Sequence, residues 1–505
     1  MNVPLWLETS SIPSYPALSE ELTVDVCIVG AGITGITLAY LLKDSGLKIA
    51  LIDSDDFLHG STAYTTAKLT AQHNLIYDNL IKNYGLNQAQ HYANAQNQAI
   101  AFVRETCDQL NIDCQLETLP AYVYTQDANA VQDIVDEYEA ATQLGFDCDL
   151  LDKLDLPFPI EKALVFQNQA QFHPLHFLIS LLKEIEQSDC IALQSNTPAR
   201  ELRHNENGTY SVLTDTNFSV HAKKVIQTCH FPFYDDLSLL FAKAEIDHSY
   251  LIAVENAHPM PLGMYISCDQ PTRSLRTYGS LLLVGGENHR PGTVADTNQN
   301  YQALIDFARI NFHTKKVKNQ WSTQDYISSD QIPYIGALHQ DNDDLYVATG
   351  YCKWGMTNGI AAALLLCDLV QQKENEWTSL FSPSRFNLKA QFKGLLKNNS
   401  EVAFEYIKGK LKKADKSLYL ESDEATILKT ENGKVGVYKD LDGELHVLDI
   451  TCTHLGCELV FNTSEKTWDC PCHGSRFSYR GEIIEGPAHT PLSSHKNKID
   501  PNIFN

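Results

Sequence analysis

Two short segments near the C-terminus combine cysteine and histidine at spacings that suit a metal site. The first reads CTHLGC from Cys452 and the second reads CPCHGS from Cys470, so each offers thiols and one imidazole within a few residues. Thiolates and imidazoles bind zinc, and they also bind iron–sulfur clusters. A Cys2His2 zinc site is therefore one interpretation, although ordinary zinc fingers carry no additional cysteines at these places.

The N-terminal region carries a different signature, a glycine-rich turn between a strand and a helix. Residues 24–29 form an almost continuous run of β-type side chains, and Gly30, Gly32 and Gly35 follow with the spacing G-x-G-x-x-G. In such a turn the glycines allow a tight bend, close approach of the backbone to a pyrophosphate, and packing of the helix on the strand. Asp53 ends the next predicted strand, 48–52, and can accept hydrogen bonds from ribose hydroxyls. The pattern predicts a dinucleotide site.

Two further stretches bear on which dinucleotide binds. Residues 60–70, GSTAYTTAKLT, place small and hydroxyl-bearing side chains where the chain could run close to a ring system. Residues 345–349 predict a strand, 350–355 a loop and 356 onward a helix, whose N-terminus could face the electron-rich edge of a reduced flavin. No second G-x-G-x-x-G occurs, which argues against a separate nicotinamide site.

These segments resemble the glycine/D-amino-acid oxidase and dehydrogenase superfamily of FAD enzymes. Besides the glycine-rich turn, the resemblance is carried by KKVIQTCHFPF over residues 223–233 and by DQIPYIG and LYVATGYCKWGMTNG within 330–359. It implies an α/β, Rossmann-like, doubly wound FAD-binding domain with an α+β substrate domain, together covering residues 1–375. The implied division is FAD-binding segments at about 20–75, 220–240 and 325–375, and substrate segments at about 75–220 and 240–325.

The same resemblance indicates which residues meet the cofactor and the substrate. The predicted cofactor-binding residues are Gly30, Gly32, Gly35, Asp53, Ser61, Thr62, Thr65, Thr66, Gly350, Gly355, Met356 and Thr357. The predicted catalytic or substrate-contacting residues are Lys353, Trp354, Arg276 and His73, with His289 and Tyr351 as further candidates. Tyr64 and Lys68 lie in the region that the resemblance places at the isoalloxazine ring, although Lys68 could equally be an exposed lysine. Arg276 could pair with a carboxylate through two nitrogens, but an ordinary surface arginine looks the same in a sequence. His73 and His289 could equally be structural.

The two cysteine–histidine segments resemble the Rieske fold, in which two cysteines hold one iron of a 2Fe–2S cluster and two histidines hold the other. Carried over residue by residue, the resemblance implies that Cys452 and Cys470 bind one iron and that His454 and His473 bind the other. Two hairpin signals upstream, Asn432-Gly433 and Asp442-Gly443, predict antiparallel strands. We expect an all-β Rieske domain over residues 419–505.

The resemblance also concerns the residues around the ligands. Cys457 and Cys472 match a pair that forms a disulfide in respiratory-type Rieske proteins, which would be an exception in a reducing compartment. Ser475 matches a serine that donates a hydrogen bond to a cluster sulfur. Phe477 stands where the respiratory type has a tyrosine, so one hydrogen bond near the cluster is lost, which implies a lower reduction potential.

Composition limits the partners. The chain has 505 residues, enough for two or three domains, and a net charge of −24, which disfavours nucleic acid and anionic membranes. No basic and apolar leader is visible and the longest apolar run, 359–367, is too short to span a bilayer, so we expect a cytoplasmic protein. Residues 376–418 are predicted to form a basic helical linker packed on the acidic FAD domain; a membrane-surface patch or a protein contact are the alternatives.

The whole arrangement resembles bacterial FAD oxidoreductases with a C-terminal Rieske domain, the YhfW-like family. It implies a dehydrogenase that oxidises a small amine or amino-acid-like substrate and passes electrons singly from flavin to cluster and on to an unknown acceptor, a protein or a quinone. The alternatives are a flavin reductase fed by the cluster, and a non-enzymatic redox sensor or electron-transfer adaptor. Substrate, acceptor and oligomeric state stay open.

Overall fold

A computed structural model describes residues 3–494 apart from 236–237, 239, 340–341, 386–419 and 431–432. The helices are α1 (Leu5–Glu8), α2 (Ile33–Leu42), α3 (Tyr77–Tyr84), α4 (Leu86–Leu110), α5 (Val131–Gln143), α6 (Pro174–Ile185), α7 (Asn298–Phe312), α8 (Gly355–Val370) and α9 (Thr378–Phe381).

The strands, in chain order, are β1 (Leu22–Val29), β2 (Ile49–Ile52), β3 (Lys68–Leu69), β4 (Glu117–Thr125), β5 (Cys148–Leu151), β6 (Lys162–Gln171), β7 (Ile191–Gln194), β8 (Ala199–His204), β9 (Tyr210–Thr214), β10 (Ser219–Gln227), β11 (Ala244–Glu255), β12 (Met264–Ser267), β13 (Arg273–Tyr278), β14 (Leu281–His289), β15 (Lys316–Ser328), β16 (Tyr334–His339), β17 (Asn342–Thr349), β18 (Glu424–Thr430), β19 (Gly433–Lys439), β20 (Leu445–Asp449), β21 (Val460–Asn462), β22 (Thr467–Asp469), β23 (Arg476–Ser478) and β24 (Ile483–Glu485).

The first sheet is the nucleotide-binding sheet, with the order β16-β17-β10-β1-β2-β7. Its five strands from β17 to β7 run parallel, and β16 adds antiparallel at one edge. All of β2 and the second half of β1 are buried, as expected for parallel strands covered on both faces. Helices α2 and α8 pack together against this sheet. The predicted strands at 24–29, 48–52 and 345–349 and the predicted helix from 356 are confirmed.

The second sheet has nine strands in the order β15-β11-β14-β13-β12-β4-β6-β3, with β5 paired to β6. It is mixed, because β12 and β4 are parallel while their neighbours are antiparallel. Helix α7 packs on β11 and β14, and α5 packs on β4 and β6. We call it the substrate sheet, after the α+β substrate domain that the sequence predicts for most of these residues.

The boundary between these two sheets differs from the prediction. The predicted substrate segment 75–220 includes β7, β8 and β9, whereas the structure pairs β7 with β2, and β9 with β10, in the nucleotide-binding sheet. Short strands of this kind carry no signal of which sheet they join, because the pairing is decided by distant partners.

The C-terminal part is all-β. A three-stranded antiparallel sheet, β18-β19-β20, lies beside a four-stranded one, β21-β22-β23-β24. The predicted turn at Gly443 joins β19 to β20, while Asn432 lies outside the described residues. Between these sheets Trp468 is fully buried among the cysteine-bearing loops. The two ligand-bearing loops follow β20 and β22.

Most of the predicted basic linker lies outside the described residues. Its first basic residue, Arg385, is buried and pairs with Asp330 at 2.8 Å, with the guanidinium 4.0 Å from the ring centroid of Tyr334. Arg385 thus anchors the segment that leaves the FAD domain. Across the described part of the chain, no helix combines the length and the apolar character that a bilayer crossing needs.

Candidate cofactor sites and the cavity between them

A cavity of about 1280 Å³ lies between the nucleotide-binding sheet, the substrate sheet and the Rieske domain. Nine of the twelve predicted cofactor-binding residues line it: Gly30, Gly32, Asp53, Ser61, Thr62, Thr65, Thr66, Gly355 and Met356. Gly35, Gly350 and Thr357 are not among the lining residues. The volume and the elongated set of lining residues suit a dinucleotide together with a small substrate.

The glycine-rich turn has the geometry that pyrophosphate binding requires. A Cβ atom on Gly35 would lie 1.9 Å from the carbonyl oxygen of Gly30, so only glycine lets α2 approach the turn this closely. The amide of Ala31 donates to Asp53 Oδ2 at 2.6 Å, and the amide of Ile33 donates to Thr62 Oγ1 at 3.0 Å. Gly32, the residue before α2, has no side chain to cap the helix, and it lines the cavity together with Ile33 and Thr34. These residues fit FAD.

Burial raises the pKa of the Asp53 carboxyl, and the Ala31 amide opposes this by stabilising the charged form. The ionised form of Asp53 is therefore stabilised by the groups that donate hydrogen bonds to it. Ribose hydroxyls are donors of this kind. Asp53 is placed to bind them from the cavity floor.

His73 and Trp354 form one wall of the cavity, with stacked rings 4.8 Å apart. His73 Nδ1 contacts Tyr92 Oη at 2.6 Å and Nε2 contacts Thr357 Oγ1 at 2.8 Å. Burial lowers the pKa of His73 to about 3, so the ring is neutral at physiological pH. Both ring nitrogens are engaged, which makes His73 a support for the Trp354 side chain.

Lys353 lies in the loop before α8 and lines the cavity. Its ammonium group pairs with Asp247 at 2.5 Å and donates to Ser249 at 3.0 Å. Cys352 and Lys353 both have positive φ, 53° and 72°, an arrangement that costs about 1–2 kcal/mol per residue. Such strain clusters at binding and active sites, where the surrounding structure maintains it.

Arg276 does not contact the cavity, contrary to its predicted role. It is 1% exposed and donates to the carbonyl oxygens of Thr66, Ala67 and Phe172. Its guanidinium also lies 5.3 Å from the ring centroid of Trp6. Because its Nη1 donates to these carbonyls and its side chain is buried away from the cavity lining, Arg276 holds the 66–67 segment in place.

Lys68 is the cation that the substrate sheet presents to the cavity instead. It is 7% exposed, and its ammonium group donates to Tyr265 O at 2.6 Å and to Ser274 Oγ at 2.7 Å. It forms no ion pair with the described residues, and burial lowers its pKa to about 7. Of the other candidates, Tyr64 and Tyr351 line the cavity, and His289 lies outside it, bonded to Tyr250 at 2.9 Å.

The four predicted iron ligands come together on the two loops of the C-terminal domain. The His454 and His473 rings lie 5.1 Å apart at 87°, and the thiols of Cys452 and Cys470 face each other. The donor set of two thiols and two imidazoles fits a Rieske cluster.

The surroundings of the ligands match the resemblance as well. Cys457 and Cys472 form a disulfide with a Cα–Cα distance of 6.6 Å, so neither can also bind iron. Ser475 hydrogen-bonds Cys452 and accepts a bond from the Ala488 amide at 3.0 Å. These contacts tie the two loops together around the ligands.

The Rieske domain also contributes to the cavity wall, which the sequence did not indicate. The contributing residues are Glu465, Thr467, Arg476, Ile484, Glu485 and Gly486. Arg476 lies 3.5 Å from Asp469 and 3.6 Å from Glu485, and burial raises the pKa of Glu485 to about 7. The only sequence feature that could have indicated Arg476 as a cavity residue is its position next to the CPCHGS segment. No sequence feature indicates Glu465 or Glu485.

Comparison with known proteins supports both halves of the chain. The family described as FAD dependent oxidoreductase matches residues 25–369, and the Rieske [2Fe-2S] domain matches residues 411–496. YhfW of Bacillus subtilis (strain 168), which is named as a Rieske 2Fe-2S iron-sulfur protein, is 42% identical over 96% of both chains. The cytochrome b6-f complex iron-sulfur subunit of Desmonostoc sp. (strain PCC 7906) is 40% identical over 11% of this chain and 32% of its own.

Solved structures share the fold of the FAD half. Glycine oxidase from Geobacillus kaustophilus superposes with a TM-score of 0.61 at 17% identity, covering 72% of this chain and 99% of its own. L-proline dehydrogenase from P. horikoshii gives 0.59 at 14% identity, covering 73% and 98%. With the matched segments and the site geometry, these findings establish that the chain belongs to the FAD-dependent oxidoreductase family, with a Rieske [2Fe-2S] domain at its C-terminus.

Proposed function

We propose that this oxidoreductase is a dehydrogenase for a small amine or amino-acid-like substrate, and that electrons pass singly from its flavin to its Rieske cluster and on to an external acceptor. The observation that carries the proposal is the shared cavity. Its wall includes both the glycine-rich turn of the FAD site and residues of the domain that holds the iron ligands. A two-electron centre and a one-electron centre placed this way suit a conversion of paired to single electrons.

The substrate would occupy the part of the cavity between Trp354 and the substrate sheet. When bound, FAD supplies the two-electron oxidation of a C–H bond next to nitrogen. Lys68 offers a buried cation for an acidic group, and the Lys353–Asp247 pair offers one charge of each sign. The neutral His73 keeps Trp354 in position. Hydride transfer from an amine needs no obligatory general base, which agrees with this set of groups.

The acceptor would reach the cluster from outside, at the loop of His454. The next residue, Leu455, is 52% exposed, whereas His473 on the other loop is 7% exposed. A one-electron protein or a quinone fits this position. The net charge of −24 makes nucleic acid an unsuitable partner.

Anaerobic titration of the holoenzyme with candidate amines and amino acids tests the proposal. We expect one substrate to bleach the flavin absorption, followed by the electron paramagnetic resonance signal of the reduced cluster. Flavin bleaching that requires prior reduction of the cluster would support a cluster-fed reductase. Absence of electron transfer in either direction, even from a chemically reduced flavin, would support an adaptor and would contradict the proposal.

A further inference from the structure

The two ligand-bearing loops of the Rieske domain have unlike surroundings. The loop of His473 lies against β15 of the substrate sheet and the end of β14. Gln324 Nε2 donates to Gly474 O at 2.8 Å, Tyr326 Oη donates to His473 O at 3.4 Å, and Arg290 Nε donates to Pro471 O at 3.2 Å. In the loop of His454, by contrast, Leu455 is exposed.

We infer that electrons reach the cluster within one chain across the contact between β15 and the His473 loop, and that Gln324 and Gly474 are the positioning residues of this contact. The inference rests on the proposed function, since it assigns the place at which the flavin half delivers electrons. Neither residue touches iron or substrate in this scheme. Each acts by setting how closely the ligand loop approaches the cavity wall.

Gln324 joins the cavity to the cluster loop directly. It lines the cavity and is buried, and its amide group is used at both ends. Nε2 donates to Gly474 O, while Oε1 accepts from His248 Nε2 at 2.8 Å. A residue held at both ends of its amide has little freedom, so the carbonyl of Gly474 is kept at a fixed distance from the cavity wall.

Gly474 permits the close approach from the other side. Its φ is +78°, and a Cβ atom there would lie 2.8 Å from Gln324 Nε2, 3.0 Å from Ile246 Cδ1 and 3.1 Å from Tyr326 Oη. Gly456 in the other ligand loop has almost the same φ, +75°, but a Cβ atom there would meet nothing within 4 Å. The two glycines therefore share the backbone strain that alanine would introduce, and only Gly474 adds a collision with the FAD half.

A second contact holds the domains together independently of the ligand loop. Thr297, just before α7, donates to Asn462 Oδ1 at 2.7 Å and accepts from the Ser464 amide at 2.9 Å. Tyr301 donates to Glu465 at 2.8 Å. Because this contact remains, a change at Gly474 or Gln324 displaces the ligand loop locally and leaves the domain attached.

The electrons balance over one turnover. The substrate loses a C–H and an N–H bond and gains a C=N bond, releasing two electrons and two protons. Both electrons cross the β15 contact one after the other, and two equivalents of an external one-electron acceptor are reduced. The two protons pass to solvent.

The test uses the holoenzyme and requires no knowledge of the substrate. The bound flavin is photoreduced by a light pulse with EDTA as the electron donor and no added mediator, and cluster reduction is followed by absorption. For Gly474→Ala we expect the flavin-to-cluster rate to fall by about tenfold or more, because small displacements of reacting centres have large effects. For Gly456→Ala we expect a rate within about twofold of the wild type. The wild-type rate should be independent of protein concentration.

Gln324→Leu is the second variant, and it tests the inference if Gly474→Ala fails to assemble its cluster. It should slow transfer to a similar extent while the resonance spectrum and potential of the cluster stay those of the wild type. Wild-type rates in both Gly474→Ala and Gln324→Leu would overturn the inference and leave the proposed function standing. Absence of transfer in the wild type would overturn both.

Discussion

The two cofactor sites of this chain are assembled from very different lengths of sequence. The FAD site draws on the turn after β1, the end of β2, the 60–66 loop and the start of α8, which lie more than three hundred residues apart. The cluster site uses two loops within 452–475, tied by the disulfide. The first site thus depends on the whole parallel sheet, while the second depends on one small domain.

The two halves of the chain also differ in how their buried charged side chains are compensated. The cluster half places its buried Arg476 between the carboxylates of Asp469 and Glu485. In the FAD half, the buried Lys68 has a carbonyl and a hydroxyl as its acceptors among the residues that the structure describes. Uncompensated buried charge is unfavourable for stability, and it is found where a ligand supplies the missing partner. On this contrast we propose Lys68 as the binding group, whereas Arg476 lies between two carboxylates.

The largest expected effect is the complete loss of one cofactor while the other stays bound. Cys470→Ala removes one of the four ligands and should abolish the 2Fe–2S cluster while FAD binding stays at the wild-type stoichiometry. Visible absorption and iron analysis of the purified protein measure both. Cys107→Ala, which removes a buried thiol of the FAD half, is the control and should keep both cofactors. Loss of FAD from Cys470→Ala would show that the sites are not independent.

The converse change acts on the FAD half. Gly35→Ala places a methyl group 1.9 Å from Gly30 O, which α2 can relieve only by moving away from the turn. We expect FAD to be lost on gel filtration while the cluster signal remains. Thr37→Ala, in the same helix and outside the cavity lining, is the matched control. Equal FAD retention in the two variants would contradict the role of the close approach.

The disulfide provides a test of whether the cluster site is stabilised within the Rieske domain alone. Replacing both Cys457 and Cys472 by serine removes a cross-link over a sequence separation of 15. We expect the free energy of unfolding of the Rieske domain to fall by about 3 kcal/mol, mainly through the entropy of its unfolded chain. Urea titration followed by cluster bleaching measures this, and the FAD-domain transition should stay in place. A parallel shift of both transitions would mean that the domains unfold as one unit.

The smallest expected effect is a change in how the stability of the protein depends on pH, and it concerns the buried charge of Lys68. Burial lowers the pKa of Lys68 from 10.5 to about 7. Because the folded value lies below the unfolded one, the unfolded chain binds more protons between these values, and wild-type stability rises with pH across that window. Lys68→Met should flatten this slope and raise the free energy of unfolding at pH 7 by about 1–3 kcal/mol, the lost hydrogen bonds offsetting part of the gain.

Urea unfolding at a series of pH values provides the measurement for Lys68→Met. Lys353→Met is its control, because Lys353 already pairs with Asp247 and its removal leaves that carboxylate without its ion pair. It should therefore destabilise the protein. Destabilisation by both variants at pH 7 would indicate that Lys68 is a structural residue and would weaken its assignment as a substrate group.

Local patterns predicted a large part of this molecule. The glycine spacing, the acid at Asp53 and the two cysteine–histidine segments each describe a contact made within a short stretch, so residue type and spacing suffice. Arg276 shows where this fails. The sequence does not distinguish a buried arginine from an exposed one. The hydrogen bonds from Arg276 to the carbonyl oxygens of Thr66, Ala67 and Phe172 show that it is buried.

By itself the sequence determined that this chain binds FAD through a parallel α/β unit and a Rieske cluster through two loops, because those sites are encoded by residues a few positions apart. The tertiary structure decided that β7, β8 and β9 join the nucleotide-binding sheet, that Lys68 rather than Arg276 reaches the cavity, and that Glu485 and Arg476 of the Rieske domain line its wall. These are contacts between segments far apart in the chain, and pairwise packing across such distances leaves no periodic pattern in a single sequence.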